Sequence, residues 1–238
     1  MKTKAVVLFS GGLDSTVLLC YEKILSQYEK TLSQEVIPFS ISYGSKHNER
    51  EREAAQRIRN DLNVPLVTYN LPVNVSHYRH STLGFHVPLL RSDLQLSGGE
   101  IPEGHYTEDS MKLTVVPFRN AIMISLAVGF AQGIGASRVL IASHMGDHTI
   151  YPDCREEFIS AMGVTVRRGT DSKVNLEAPF GKWSKTDIVK MGAEIKAPMH
   201  LSWSCYKGGE KHCGKCGTCV ERREAFEQAN VEDPTDYE

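Results

Sequence analysis

The apolar run Ala5-Val6-Val7-Leu8-Phe9 ends directly in Ser10-Gly11-Gly12-Leu13-Asp14-Ser15, and Thr16-Val17-Leu18-Leu19-Cys20 can continue as a helix. Strand, small-residue turn and helix, in that order, aim consecutive backbone N–H groups and a helix N-terminus at one point where an anion can sit. Gly11 and Gly12 carry no Cβ, so the backbone can turn sharply and approach phosphate oxygens closely. Ser10, Ser15 and Thr16 add hydroxyl donors. No Lys closes the turn, so it is not a Walker A loop. Residues 8–18, from Leu8 and Phe9 through Leu13 to Val17 and Leu18, are the stretch predicted to surround that anion. Asp14 brings a negative charge to an expected phosphate, which is repulsive unless it caps the helix or holds a Mg²⁺ ion; both readings stand at this point.

The 238 residues suffice for one substantial α/β core with a small appended module. With 41% hydrophobic and 24% charged residues, the composition is that of an ordinary globular protein. A net charge of −2 supplies no electrostatic footprint for nucleic acid, and the pairs Arg167-Arg168 and Arg222-Arg223 read as solvated. The apolar stretch behind Lys2 and Lys4 is too short for a secretory leader. Residues 121–131, interrupted by Ser125 and Gly129, are too few to span a bilayer. The expectation is a cytoplasmic protein with no membrane contact and no nucleic-acid partner. A homodimer is left open. In that compartment six cysteines point to metal or catalysis rather than disulfides.

Apolar runs then alternate with helical patterns. Residues 36–43 read as a second strand and 65–71 as a third. Between them, Ala54, Ala55, Ile58 and Leu62 give 48–62 the spacing of an amphipathic helix. Helices are predicted over 119–132, 153–162 and 185–195, and a strand over 138–143. Residues 72–112 show no sustained period and are expected to form a functional lid or insertion. This alternation predicts an α/β fold: a parallel twisted sheet with helices on both faces and its ligand site beyond the carboxyl ends of the strands. Residues 1–200 are assigned to that domain, and 201–238 to a C-terminal metal-binding segment.

Cys205, Cys213, Cys216 and Cys219 form C-x7-C-x2-C-x2-C, with Gly214 and Gly217 each directly after a cysteine. Four thiolates satisfy tetrahedral Zn²⁺ and leave no position for water, which predicts one structural zinc per chain. An iron–sulfur cluster is the competing occupant. Cys20 reads as a core residue. Cys154 reads as packing or, alternatively, as a sulfur carrier. His47, His77, His80, His86, His105, His144 and His148 show no ligand spacing and are read as structural or surface residues.

The opening string resembles the S-G-G-x-D-S loop of the N-type ATP pyrophosphatases. These enzymes cleave ATP between the α- and β-phosphates and place AMP on a substrate oxygen, from which a nucleophile displaces it. Further strings are similar to the 7-cyano-7-deazaguanine synthase family of the queuosine pathway. Tyr43-Gly44-Ser45-Lys46-His47 is similar to its Y-G-x-R/K-H string. Val116-Pro117-Phe118-Arg119-Asn120 is similar to V-P-x-R-N, and Tyr151-Pro152-Asp153-Cys154-Arg155 with Glu157-Phe158 matches Y-P-D-C-R-x-E-F. Trp183 and Lys185 resemble its W-x-x-K region at a shortened spacing. Ser204-Cys205-Tyr206 with the three later cysteines resembles its zinc site. The matches run in order from residue 5 to about residue 224. Phe118, Ser45, residues 147–150 and residues 112–114 depart from the family pattern.

The resemblance implies an adenine nucleotide alpha hydrolase-like fold and a defined reaction. 7-Carboxy-7-deazaguanine, ammonia and two ATP give 7-cyano-7-deazaguanine, two AMP and two pyrophosphate. The acid is adenylated and becomes an amide, whose oxygen is adenylated in turn and eliminated. Ser10, Gly11, Gly12, Ser15 and Thr16 would cradle the pyrophosphate, with Mg²⁺ accompanying ATP. Ser15, Arg119 and Lys185 would serve catalysis. Lys46, Asn120, Tyr151 and Asp153 would hold the substrate, Asp153 accepting two N–H bonds from a guanine-like edge or capping the helix ahead of Arg155. Three other readings are weighed: an amide or nitrile synthase with a different acceptor, a tRNA-modifying relative that thiolates, and a non-catalytic nucleotide-sensing zinc module.

Overall fold

A computed structural model describes residues 3–28, 34–71, 99–105 and 112–238. Most of the 72–112 stretch, read above as a lid or insertion, lies outside the described residues.

Strand β1 (Thr3–Leu8) leads into helix α1 (Leu13–Tyr28), followed by β2 (Gln34–Ser42), α2 (Asn48–Leu62) and β3 (Val67–Asn70). Beyond residue 112 come α3 (Arg119–Gly133), β4 (Arg138–Leu140), α4 (Glu156–Gly169), β5 (Asn175–Glu177), α5 (Lys185–Glu194) and α6 (Gly217–Ala229). Short 3₁₀ turns at Met145–Thr149, Pro152–Cys154 and Met199–Leu201 join them. The five strands are all parallel in the order β3-β2-β1-β4-β5. The order reverses between β1 and β4, and the crevice outside such a switch point is where open α/β sheets bind ligands. The loop at residues 9–12 leaves β1 at that point.

Side-chain alternation along β1 explains the two layers. Ala5 and Val7 face a core built with α1, α2, α5 and α6, whereas Val6 joins Ile124, Ala127 and Ala131 of α3 and Val166 of α4 on the opposite face. The expected helices on both faces are therefore present. Pro38 sits in β2 opposite Val7 and just ahead of the β3 pairing, which begins at Phe39, so its missing N–H falls where no β3 partner awaits it.

Several boundaries move. The helix expected at 153–162 is a 3₁₀ turn at Pro152–Cys154, a break at Arg155 with ψ 148, and then α4 from Glu156. Asp153 therefore does not cap that helix. The strand expected at 138–143 pairs only to Leu140, because the chain turns there toward the crevice that Ala142 and Ser143 line. Arg222 is the clearest correction. It is 1% exposed rather than solvated, donating to the Ser202 and Ser204 hydroxyls and to the Met199 carbonyl while its Nε faces Asp233. Among the described residues no helix is long and apolar enough to cross a membrane.

One ion bridge ties the layers together. Arg138 of β4 donates to buried Glu22 of α1 at 2.9 Å and to Glu177 of β5 at 2.6–3.0 Å. Both carboxylates keep Arg138 charged against the cost of burial. Arg138→Met takes the guanidinium away from a carboxylate in the interior, and equilibrium denaturation is expected to show a loss of about 3 kcal/mol.

Candidate active site and metal centre

The turn after β1 has the shape expected of an anion cradle. Gly11 adopts φ +83°, and a Cβ there would lie 2.5 Å from the Glu51 carbonyl and 2.8 Å from the Ala55 nitrogen, so only glycine fits. The Gly12 N–H donates to Ser10 Oγ at 3.0 Å, and the Gly12 carbonyl accepts from Thr16 Oγ1 at 2.7 Å and from Ser15 Oγ at 3.2 Å. The first N–H groups of α1 have no intrahelical acceptor and are aimed outward. From the far side, the Trp203 N–H donates to the Gly11 carbonyl at 2.9 Å.

The turn opens on a cavity of about 480 Å³ at the carboxyl ends of β1, β2 and β4, within the range of small-molecule sites. Leu8, Phe9, Ser10, Gly12, Leu13, Asp14 and Ser15 line it. Gly11 and Thr16 shape the turn from behind, and Val17 and Leu18 are core residues. Phe39, Ile41 and Ile141 form an apolar wall at the strand ends.

Lys185 opens α5 and reaches the cavity, its Nζ 2.8 Å from Glu221 Oε2 and 3.4 Å from Asp14 Oδ2. Burial works against its charge, but the carboxylates of Asp14, Glu221 and Asp147 outweigh that and hold it well above the ordinary lysine range. Burial raises the Asp147 carboxyl, which His144 and Lys185 only partly offset. His144 is 0% exposed. Its Nδ1 accepts the Gly146 N–H at 3.1 Å, which leaves the proton on Nε2, 3.6 Å from Asp147 and 3.9 Å from Asp14. Asp14 does not cap α1. One carboxylate oxygen faces Lys185 while Oδ1 is buried with no hydrogen-bond partner among the described residues, an orphaned acceptor of the kind a Mg²⁺ ion satisfies.

At the other end of the cavity, Arg119 begins α3 and donates to the Tyr43 hydroxyl at 3.2 Å. Burial opposes its charge, and Tyr43 and Tyr206 outweigh it. No carboxylate reaches Arg119 among the described residues, so a cation faces the cavity without an anion. Phe118 sets this turn at φ +58°, the left-handed region that suits the small residue the family pattern carries, and its side chain is 65% exposed. Asn120 and Tyr151 also line the cavity. Asp153 stands behind it: Oδ2 accepts the Asn120 backbone N–H at 2.8 Å, which caps α3 from a distant part of the chain. Lys46 is exposed and donates to the Gly99 carbonyl, beside a smaller neighbouring hollow. The Cys154 thiol accepts from Asn120 Nδ2 and is pushed up by burial, so it is an unreactive sulfur. Sequence reasoning gave no site role to Tyr43, Glu51, His144, Tyr206 and Glu221, whereas Asp147, in a segment that departs from the family pattern, does line the cavity. The spacing His144-x2-Asp147 was the one local signal. Glu221 sits among the cysteines, and only the fold brings it to Lys185.

All four clustered cysteines are buried, with ligand atoms within 4.8 Å of one another. Cys213 and Cys219 are 4.0 Å apart at sulfur, as are Cys205 and Cys216. A tetrahedral ion with metal–sulfur bonds of about 2.3 Å needs sulfur–sulfur edges of about 3.8 Å, so the set fits a single metal ion. Its contacts with the Cys205 and Cys219 thiols hold the Cys216 thiol well below the usual range, at the N-terminus of α6 where a thiolate is favoured. Residues 99–105 dock here through the Gly104 N–H to the Lys215 carbonyl at 2.7 Å.

A parallel α/β sheet with a glycine–serine anion turn at its switch point and a four-cysteine C-terminal centre defines a Rossmann-like protein of the adenine nucleotide alpha hydrolase-like class. The chain belongs to the QueC family: the family described as queuosine biosynthesis protein QueC matches residues 4–230. It is 46% identical to a 7-cyano-7-deazaguanine synthase of Porphyromonas gingivalis over 98% of this chain and 97% of that one. It is 40% identical to a namesake from Caldicellulosiruptor bescii, over 99% and 97%. A third, from Methanoregula boonei, is 43% identical over 99% of each chain. Among solved structures, the U34-tRNA thiolase NcsA of Methanococcus maripaludis, described with its 4Fe-4S cluster, is similar in fold, with a TM-score of 0.51 at 12% identity. That match covers 86% of this chain and 62% of the longer thiolase.

Replacing one cysteine should uncouple this centre. Cys213→Ser is expected to lower bound metal well below one equivalent and the Tm by about 10 °C, read by elemental analysis and calorimetry.

Proposed function

We propose that this chain converts 7-carboxy-7-deazaguanine and ammonia to 7-cyano-7-deazaguanine, consuming two ATP and releasing two AMP and two pyrophosphate. The observation that carries this reading is a single cavity holding a preformed glycine–serine turn, a charged Lys185 beside it and, at its far end, Arg119, which no carboxylate reaches among the described residues. Two anions, a nucleotide and a carboxylic acid, match those two cations.

In this mechanism the apolar wall of Phe39, Ile41 and Ile141 receives adenine, and the turn with Ser10, Gly12 and Ser15 receives the β- and γ-phosphates. Lys185 neutralises charge as pyrophosphate departs. Asp14 would hold Mg²⁺, which would supply charge neutralisation on the phosphates. Arg119 and Tyr43 orient the acid, while Asn120 and Tyr151 border its ring, and Asp153 acts by fixing Asn120. An amide oxygen is a poor leaving group, so the dehydration needs a second activation at the same turn.

The metal in this proposal is one Zn²⁺ per chain. An iron–sulfur cube would place its four cysteines on separate irons and further apart than the close sulfur set allows. Residues 1–200 act as the catalytic body, and residues 201–238 as the metal-pinned segment whose Trp203 holds the turn. The partners are small molecules in the cytoplasm rather than nucleic acid, and a homodimer is compatible with every step.

The decisive run gives the protein synthetic amide with ATP and no ammonia. Nitrile, AMP and pyrophosphate are expected, and unchanged amide would reduce the activity to amide synthesis. Ser15→Ala should slow both half-reactions by about 10²-fold, the usual effect of removing one donor to developing charge. Against the thiolation reading, Cys154→Ser is expected to keep turnover within about threefold, because an acyl adenylate is already activated toward ammonia.

A further inference from the structure

Among the described residues four carboxylates line the cavity, and three of them, Asp14, Asp147 and Glu221, share the charge of Lys185. The fourth, Glu51, stands apart. Among the described residues its ion-pair neighbour is the imidazole of His47, with Nε2 3.8 Å from Oε1, and the Asn48 amide donates to Oε2 at 3.1 Å. No Lys or Arg reaches it among those residues. The Glu51 backbone carbonyl packs against Gly11, and Glu51 lines the same cavity as Ser10 and Gly12 of the turn. Trp203 and Tyr206 line the same cavity, and His47 stacks on Tyr206 at 4.7 Å.

A half-buried carboxylate next to a phosphate cradle is costly unless it receives a cation or an N–H donor. Ammonium is both, and aromatic faces suit a small cation.

We propose that Glu51 captures the ammonium substrate beside the phosphate turn and acts as the general base on nitrogen in both half-reactions. This rests on the synthase reading above. In the first half-reaction Glu51 takes one proton from ammonium, His47 passes it on to water, and the ammonia so formed attacks the acyl carbon of the adenylate. Glu51 takes a second proton from nitrogen as the C–N bond forms, and the C–O electron pair leaves with AMP. His47 passes the proton on to water. In the second half-reaction the amide oxygen attacks the α-phosphorus of ATP and expels pyrophosphate, leaving an imidate nitrogen with two protons. Glu51 takes one and releases it to water, then takes the other. That N–H electron pair becomes the third C–N bond while the C–O pair leaves with AMP.

Glu51→Gln keeps an acceptor for Asn48 and removes the base. The full-length, metal-loaded protein is assayed for acid-dependent ATP–pyrophosphate exchange, for amide formation from ammonium, and for hydroxamate formation from hydroxylamine. Hydroxylamine is unprotonated at neutral pH and is a strong enough nucleophile to attack an acyl adenylate and lose its proton to water, so it needs neither capture as a cation nor the base. The variant should keep exchange and hydroxamate formation within about threefold of the parent while amide formation falls by about 10²-fold. Nitrile formation from amide should fall in parallel. Unchanged amide formation from ammonium overturns the assignment, as does loss of hydroxamate together with amide, or loss of exchange in the variant alone. Absence of acid-dependent exchange in the parent protein would instead sink the synthase reading, and this proposal with it.

Discussion

The close approach of Gly11 to helix α2 is the constraint on which the site depends. With φ +83° and no Cβ, Gly11 lets the Glu51 carbonyl and the Ala55 nitrogen come within contact of the turn, while Trp203 binds its carbonyl from the other side. The turn is thereby clamped between α2 and the segment that carries the cysteines. Any larger residue would push these two elements apart and open the cradle, since real Cβ contacts do not occur at such distances.

The charges around the cradle are unequal by design of the fold. Lys185 faces three carboxylates, and its raised affinity for a proton is the consequence. The Lys185 ammonium is so held in its charged form, while Asp14 keeps one oxygen with no partner among the described residues. Arg119 presents the opposite case, a guanidinium held by tyrosines with no carboxylate among the described residues. Among the described residues the cavity therefore has excess negative charge at one end and a guanidinium without a carboxylate at the other, which gives it a direction.

The C-terminal segment is continuous with the rest of the interior. Its four cysteines and Phe226 belong to the same buried cluster as Ala5, Val7 and Leu18, and buried Arg222 ties α6 to the Met199–Ser204 stretch. A metal ion held by these cysteines would stiffen the stretch of chain that grips Gly11, which would couple metal binding to the glycine turn without any direct contact between them.

The sequence by itself determined the elements that local chemistry dictates. The apolar run, the Gly-Gly turn and the helix after it were legible because each is a short-range requirement. The cysteine spacing was legible because four thiolates so close in the chain have few other uses. The 48–62 helix followed from its period. Tertiary structure alone decided what each polar residue meets. Asp153 read as a cap for the helix that follows it or as a ligand for a guanine edge, yet it caps α3, which precedes it by more than thirty residues. Arg222 read as a surface charge and is buried among backbone and hydroxyl acceptors. Glu221 and Lys185 lie 36 positions apart and are 2.8 Å apart in space. Pairings between distant residues are set by how helices pack across the sheet, and no local pattern in the chain encodes the partner of a buried charge.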